Sequence, residues 1–392
     1  MIYLDNAAST PCAKSVREVM ETACDKYSNV HRSFHDEAEG TTLAFENARF
    51  KVANFIGADR KEIVFTSGAT EGINIVARGL EWMLGKGDEI MVTVMDHHSN
   101  LVPWIALADN TEAILRVVPV DSFGNLDRIA YKELLNERTK IVALPVVSNV
   151  LGTRTDTSEL AMQAHRVGAV VVADAAQSVA HYPHNVEDMF VDFMVFSGHK
   201  MFGPTGIGVL YIKEIMLDQM ELTSFGGGMP ELDVYLDLAR PVYRLAVQAR
   251  MLETGTPPII QAIGLGAAVD YIQCGVAERH RRKIREEGLT EYAFEKLSKL
   301  DVRTLGGGYK SRSPIISFVV RDVHSHDVAA CLADVGIAVR AGTHCARPIH
   351  RALNCDDGSV RISLNFLNDW SDIDELCSNV DRIQREFRER AK

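Results

Sequence analysis

Between residues 63 and 212 the chain alternates short apolar, β-branched runs with amphipathic stretches, a pattern few architectures satisfy. Residues 63–66, 89–94, 140–147, 169–173, 192–196 and 208–212 read as strands, and 70–80 and 156–167 as helices among them. Continuous Val/Ile runs belong to strands buried on both faces, and the intervening helices supply the cover. The reading is an α/β unit on a mainly parallel sheet sandwiched by helices. After Pro241 the pattern changes. Pro257-Pro258 precedes one long helical stretch, 259–300, followed by strands at 314–320, 337–340 and 360–364 and helices at 327–335 and 372–390. These predict a smaller α+β C-terminal domain.

A length of 392 residues gives a prior of two or three domains and is enough to bury a large core unaided. A net charge of −11 repels phosphate backbones, so the expectation is no nucleic-acid partner. No apolar run approaches the ~20 residues that span a bilayer, so no membrane partner is expected. The start, Met1-Ile2-Tyr3-Leu4-Asp5-Asn6, lacks the basic and apolar regions of a signal peptide. The seven cysteines are scattered, without a CxxC pair, which excludes a zinc ribbon and a disulfide framework and points to a reducing cytoplasm. His324 and His326 form an HxH, but no acid or cysteine completes a metal site, so no metal is expected. The basic run at 279–283 is interleaved with Glu278, Glu286 and Glu287 and reads as a solvated helix face.

In an open parallel sheet, ligands sit beyond the carboxyl ends of the strands. Three segments lie there. Thr66-Ser67-Gly68-Ala69-Thr70 joins a strand to a helix, where backbone N–H groups and the Thr70 hydroxyl make an anion cup. Asp174 closes a buried strand, and Lys200 follows the next one in Ser197-Gly198-His199-Lys200, 200 − 174 = 26 residues on. Singly, these read as an N-cap turn, a helix cap and a surface lysine. Together they match pyridoxal phosphate, which needs an anion site, a lysine for a Schiff base and a carboxylate on its ring nitrogen.

With these segments in view, the chain resembles the fold-type I pyridoxal-phosphate enzymes of aminotransferase class V, and within them the cysteine desulfurases. The resemblance runs from Tyr3-Leu4-Asp5-Asn6-Ala7-Ala8 to Arg361-Ile362-Ser363-Leu364. It includes Asp96-His97-His98-Ser99-Asn100, Ser148-Asn149-Val150-Leu151-Gly152 and Glu253-Thr254-Gly255-Thr256-Pro257. Arg340-Ala341-Gly342-Thr343-His344-Cys345-Ala346-Arg347-Pro348 is similar to the short catalytic-cysteine segment of the SufS-type branch. Thr343 stands where a second His is common, and Asp96 where Glu is frequent.

The resemblance implies a large domain (15–245) with a mainly parallel seven-stranded sheet, and a smaller domain (1–14 and 246–392) carrying the cysteine segment. It implies that Lys200 binds the cofactor covalently, Asp174 meets the ring nitrogen and Gln177 the phenolic oxygen, and His97 stacks on the ring. Ala69, Thr70, Ser197 and His199 would hold the phosphate. Thr256 would reach the phosphate of the other protomer of a homodimer. Asn149 and Arg361 would hold the substrate carboxylate, with His31, Arg32 and Arg340 as further substrate-side groups. Cys345 would take sulfur from L-cysteine as a persulfide, release L-alanine, and pass the sulfur to a protein or small thiol. Iron–sulfur cluster assembly is one such use. Read alone, Cys345 is a small core residue, but His344, Arg340 and Arg347 beside it are expected to enrich its thiolate. The alternatives are a selenocysteine lyase, another class-V lyase or aminotransferase, and a non-catalytic scaffold that retains the cofactor.

Overall fold

Two sheets, one large and one small, organise the chain. The computed structural model describes every residue except Arg32, 228–232, 236–241, 245–248, 309–311 and 391–392. The strands are β1 (Ile2–Tyr3), β2 (Ile63–Thr66), β3 (Glu89–Thr93), β4 (Ile114–Val118), β5 (Thr139–Pro145), β6 (Val170–Asp174), β7 (Phe193–Ser197), β8 (Gly208–Ile212), β9 (Asp233–Tyr235), β10 (Val242–Arg244), β11 (Val302–Thr304), β12 (Ile315–Val320), β13 (Ile337–Ala338), β14 (Arg340–Gly342) and β15 (Ser359–Ser363). The helices are α1 (Lys14–Cys24), α2 (Asp36–Ile56), α3 (Ala69–Gly79), α4 (Val102–Thr111), α5 (Arg128–Leu134), α6 (Thr157–Arg166), α7 (Glu214–Leu217), α8 (Ile259–Ile272), α9 (Val276–Ser298), α10 (Ser325–Asp334), α11 (Arg347–Ala352) and α12 (Trp370–Arg390). No single helix among the described residues is long and apolar enough to cross a membrane.

The large sheet has the order β2-β8-β7-β6-β5-β3-β4. Its pairings are parallel except at β8, which runs antiparallel to both β2 and β7. Only ten residues (198–207) connect β7 to β8, too few for a helical crossover, so the chain turns back on itself. Alternate side chains enter two separate cores, as a period of two requires. Val142, Leu144, Val171, Ala173, Met194 and Phe196 face one core with α2, α6 and α8. Ile141, Ala143, Val170, Val172, Phe193 and Val195 face the other with α3 and α4. The seven-stranded sheet implied by the resemblance is present. The apolar runs alone mark six strands. The seventh, β4, lies at the sheet edge, where Ile114 and Val117 are 38% and 45% exposed and leave no continuous buried run.

The small sheet, β11-β12-β15-β14, is antiparallel throughout. Ile316, Phe318, Val360 and Ile362 pack on it against Leu289, Leu297, Val328, Leu376 and Val380 from α9, α10 and α12. Two sequence expectations fail here. The single helix over 259–300 is two helices, broken where Gly275 takes a left-handed φ of 70°. The strand expected at 337–340 is two strands in different sheets, β13 beside β1 and β14 beside β15. α8 packs in the larger core through Ile259, Ala262, Leu265 and Val269, and α9 in the smaller through Leu289, Ala293 and Leu297.

Gly208, the first residue of β8, has a specific steric duty. A Cβ there would lie 2.5 Å from Gly68 Cα and 2.8 Å from Phe196 O, so only glycine lets β8 pass under the turn that starts α3. Gly208→Ala must push that turn outward, and overpacking of this kind costs about 1–3 kcal/mol. The expected outcome is a lower thermal midpoint, measured by scanning calorimetry.

Candidate active site

The strand ends of the large sheet converge on one cavity of about 220 Å³. Beyond β2, the turn into α3 brings Ala69 and Thr70; beyond β3 comes His97; beyond β5, Asn149. β6 ends in Asp174 with Gln177 after it, and β7 ends in Ser197 with His199 and Lys200 next. The small sheet closes the other side with Arg340, Cys345 and Arg361. All of these residues, expected from sequence, therefore line one space. Two do not. His31 is held by Glu46 at 3.2 Å and lies edge-on to Phe45, and Thr256 is exposed outside the cavity. Arg32 lies outside the described residues.

At the α3 end, Ser197 Oγ accepts from the Ala69 N–H at 2.9 Å, and the hydroxyls of Thr70 and Ser99 meet at 2.7 Å. The free N–H groups and positive end of α3 point into this corner, which suits an anion. His97 Nδ1 accepts from the Ser99 N–H at 3.1 Å, which leaves Nε2 to carry the proton of the neutral ring. Burial pushes the His97 ring down to about 3, with the Lys200 charge next in effect, so the ring is neutral near pH 7. Gln177 Nε2 donates to the Ala7 carbonyl at 2.8 Å.

Asp174 accepts from the Ala176 N–H at 2.9 Å, but burial raises its carboxyl above the usual range. Burial also lowers the Lys200 ammonium, opposed by Asp174 and assisted by Arg361 and Arg340. A lysine in this state offers a neutral amine more readily than a solvated one.

The small-sheet side of the cavity has an electrostatic problem and a solution. Arg340 and Arg361 sit directly opposite in the β14–β15 ladder, a register that sets two guanidinium groups side by side. Asp5 bridges them, 3.3 Å from Arg361 Nη2 and 3.9 Å from Arg340 Nη1, and leaves the trio one positive charge in excess. Burial lowers Arg361 to about 10, partly offset by Asp5. Arg361 Nη1 donates to the Asn149 carbonyl at 3.0 Å, and Asn149 Nδ2 donates to the His344 carbonyl at 2.8 Å. Arg361 Nε and Asn149 Oδ1 are buried without hydrogen-bond partners. A donor and an acceptor orphaned in one cavity fit a ligand that brings both.

Cys345 is exposed and lines the mouth. Its backbone and that of His344 are left-handed, with φ of 53° and 52°, and the His98 N–H donates to the Cys345 carbonyl at 2.7 Å. One sequence expectation is corrected here. His344 does not lend Cys345 a positive charge, because burial, with Arg361, His350 and Arg340, holds its ring neutral. Its Nε2 meets Ser359 Oγ at 3.1 Å instead. His324 caps α10 by accepting from the His326 N–H at 3.2 Å. Among the described residues no group of three His, Cys, Asp or Glu side chains is arranged to hold a metal.

The model of the aminotransferase class-V family matches residues 2–376. The chain belongs to the aminotransferase class-V family. A cysteine desulfurase from Haloferax volcanii is 40% identical over 396 residues, covering 99% of this chain and 90% of the relative. The apo structure of the cysteine desulfurase from Thermococcus onnurineus NA1 superposes with a TM-score of 0.93 at 39% identity, covering 98% of this chain and 95% of the other. The cysteine desulfurase CsdA from Escherichia coli, an S-sulfonic acid, gives 0.88 at 36% identity over 97% and 94% of the two chains.

Sequence reasoning assigned no role to Asp5, although it stands in a segment that carries the resemblance, and none to Ser99. The partner of Asp5 lies 356 residues away, so only the closed fold brings them together. A neutral His344 in the folded chain has a pH consequence. The unfolded ring binds a proton below about pH 6.5 and the folded one does not, so its contribution is present above that pH and lost as pH falls. Between pH 7 and pH 5, wild type should lose about 2 kcal/mol more stability than His344→Gln, read from urea midpoints.

Proposed function

We propose that the cavity is the catalytic site of a pyridoxal-phosphate-dependent cysteine desulfurase, which converts L-cysteine to L-alanine and carries the sulfur as a persulfide on Cys345. The observation that supports this best is a single cavity lined by an amine (Lys200), a carboxyl (Asp174), an anion corner (Thr70, Ser197) and an exposed thiol (Cys345).

The residues present fit the cofactor. Thr70, Ser197, His199 and the Ala69 end of α3 would hold its phosphate, Lys200 its aldehyde carbon, Asp174 its ring nitrogen and Gln177 its phenolic oxygen, with His97 against the ring. When bound, pyridoxal phosphate supplies an electron sink adjacent to the substrate Cα. Arg361 and the second N–H of the Asn149 amide hold the substrate carboxylate, which only accepts hydrogen bonds, drawn by the excess positive charge that Asp5 leaves on the arginine pair. Lys200 Nζ takes the Cα proton, for which its burial-lowered ammonium equips it. Asp174 holds a proton on the ring nitrogen.

The Cys345 thiolate then attacks the substrate sulfur. A bond forms between the two sulfurs, the Cβ–S bond breaks, and its electron pair stays on carbon. That carbon takes up a proton, and Lys200 Nζ returns a proton to Cα, which together complete L-alanine. The persulfide remains on Cys345 until a second thiol takes its outer sulfur, which gives two-stage, ping-pong kinetics.

The assembly we propose is a homodimer in which exposed Thr256 reaches the partner's phosphate corner, and the compartment is the cytoplasm. The sulfur acceptor is a protein or small thiol.

Cys345→Ala should retain the cofactor and lose persulfide, with alanine release down more than about 100-fold. Mass spectrometry of the protein and alanine assay check both. Unimpaired sulfur delivery by this variant would remove Cys345 from the mechanism. If selenocysteine is turned over by Cys345→Ala at the wild-type rate while cysteine is not, the selenocysteine lyase reading takes precedence. In wild type, borohydride followed by digestion should place a pyridoxyl group on the Lys200 peptide, and Lys200→Ala should carry none.

A further inference from the structure

The loop after β5 is held by two different parts of the molecule. Its N–H groups are satisfied from within: Ser148 Oγ accepts from Leu151 N–H at 3.1 Å, and the Ser148 carbonyl accepts from Gly152 N–H at 2.9 Å. Its carbonyls are satisfied from the small-sheet side. Four consecutive carbonyls find donors there: Asn149 from Arg361 Nη1 at 3.0 Å, Val150 from Ser317 Oγ at 2.7 Å, Leu151 from Arg312 Nη1 at 2.6 Å, and Gly152 from the Ser313 N–H at 2.8 Å. Contact is so close that a Cβ on Gly152 would lie 2.5 Å from the Ile315 carbonyl.

Arg312 is the unusual member of this set. It is 7% exposed, it rests on the Phe294 ring, and it has no carboxylate partner among the described residues. Its Nη1 donates to two carbonyls, Leu151 and Leu305, and so joins the loop to the start of the small-sheet hairpin. A buried guanidinium without an acid is costly. What it does here is fix one loop of the large sheet to the small one, two residues from Asn149.

We propose that Arg312 is a positioning residue, which with Ser317 holds the 148–152 loop in the register that aims the Asn149 side chain into the cavity. Arg312 touches neither substrate nor cofactor. Its effect passes through Asn149, and the inference rests on the reading of Asn149 as a substrate-carboxylate group.

The test is a set of kinetic cycles on the holoenzyme with L-cysteine as the varied substrate. Arg312→Met should raise KM about tenfold with kcat within about threefold, and cofactor retention should equal wild type. Arg312→Lys should restore part of the loss, and Ser317→Ala should raise KM about threefold. Combined with Asn149→Ala, neither substitution should add anything to KM, because the group they position is gone. Should Arg312→Met not fold, the Ser317→Ala cycle with Asn149→Ala carries the test alone. An unchanged KM in Ser317→Ala and in any folded Arg312→Met, or effects that multiply fully with Asn149→Ala, overturns the inference and leaves the site reading standing. An unchanged KM in Asn149→Ala overturns both.

Discussion

A guanidinium taken out of water must be met by charge and by hydrogen-bond acceptors, and Arg361 is met from two directions. The N-terminal segment supplies Asp5 and the loop after β5 supplies the Asn149 carbonyl, while the β14–β15 register sets it opposite the like charge of Arg340. Each supplier belongs to a different stretch of chain. The N-terminal segment is itself pinned to β15, since the Asn6 amide donates to the Ser363 carbonyl at 2.8 Å and the Ala7 N–H donates to Ser363 Oγ at 2.8 Å. Satisfying one buried cation thus draws the first residues, the large sheet and the small sheet to one point. The cavity lies where all three meet.

That dependence explains which features were legible in the sequence. The strands β2, β3 and β5 to β8 were visible because burial on both faces forces an unbroken apolar run. β4 was hidden because Ile114 and Val117 are partly exposed and Arg116 interrupts its run to pair with buried Glu89 at 2.8 Å. The break between α8 and α9 rests on one left-handed glycine, with no proline to advertise it. Strands β13 and β14 read as one because a single residue, Val339, separates pairings with opposite ends of the chain.

The chemistry was legible by a different route. Lys200, Asp174 and the Thr70 turn stand at strand ends, so their spacing follows from the sheet, and the family resemblance supplied the rest. Residues that act through others left no such mark. Arg312 reaches the Leu151 carbonyl across 161 residues, and Asp5 reaches Arg361 across 356. His344 misled because adjacency to Cys345 suggested a charge, whereas its ring is turned into the interior toward Ser359, where charge is expelled.

The left-handed pair His344 and Cys345 has one more implication. Two successive non-glycine residues in that conformation cost about 1–3 kcal/mol each and persist only where neighbouring contacts over-determine them. Here the hydrogen bonds from His98 and Asn149 to their carbonyls do so. A side chain on such a fixed stem keeps a single torsion with which to swing its sulfur. Outward travel then falls to the visitor. Under the proposed function, an acceptor would have to extend its own thiol into the opening, in the manner of a plug entering a socket.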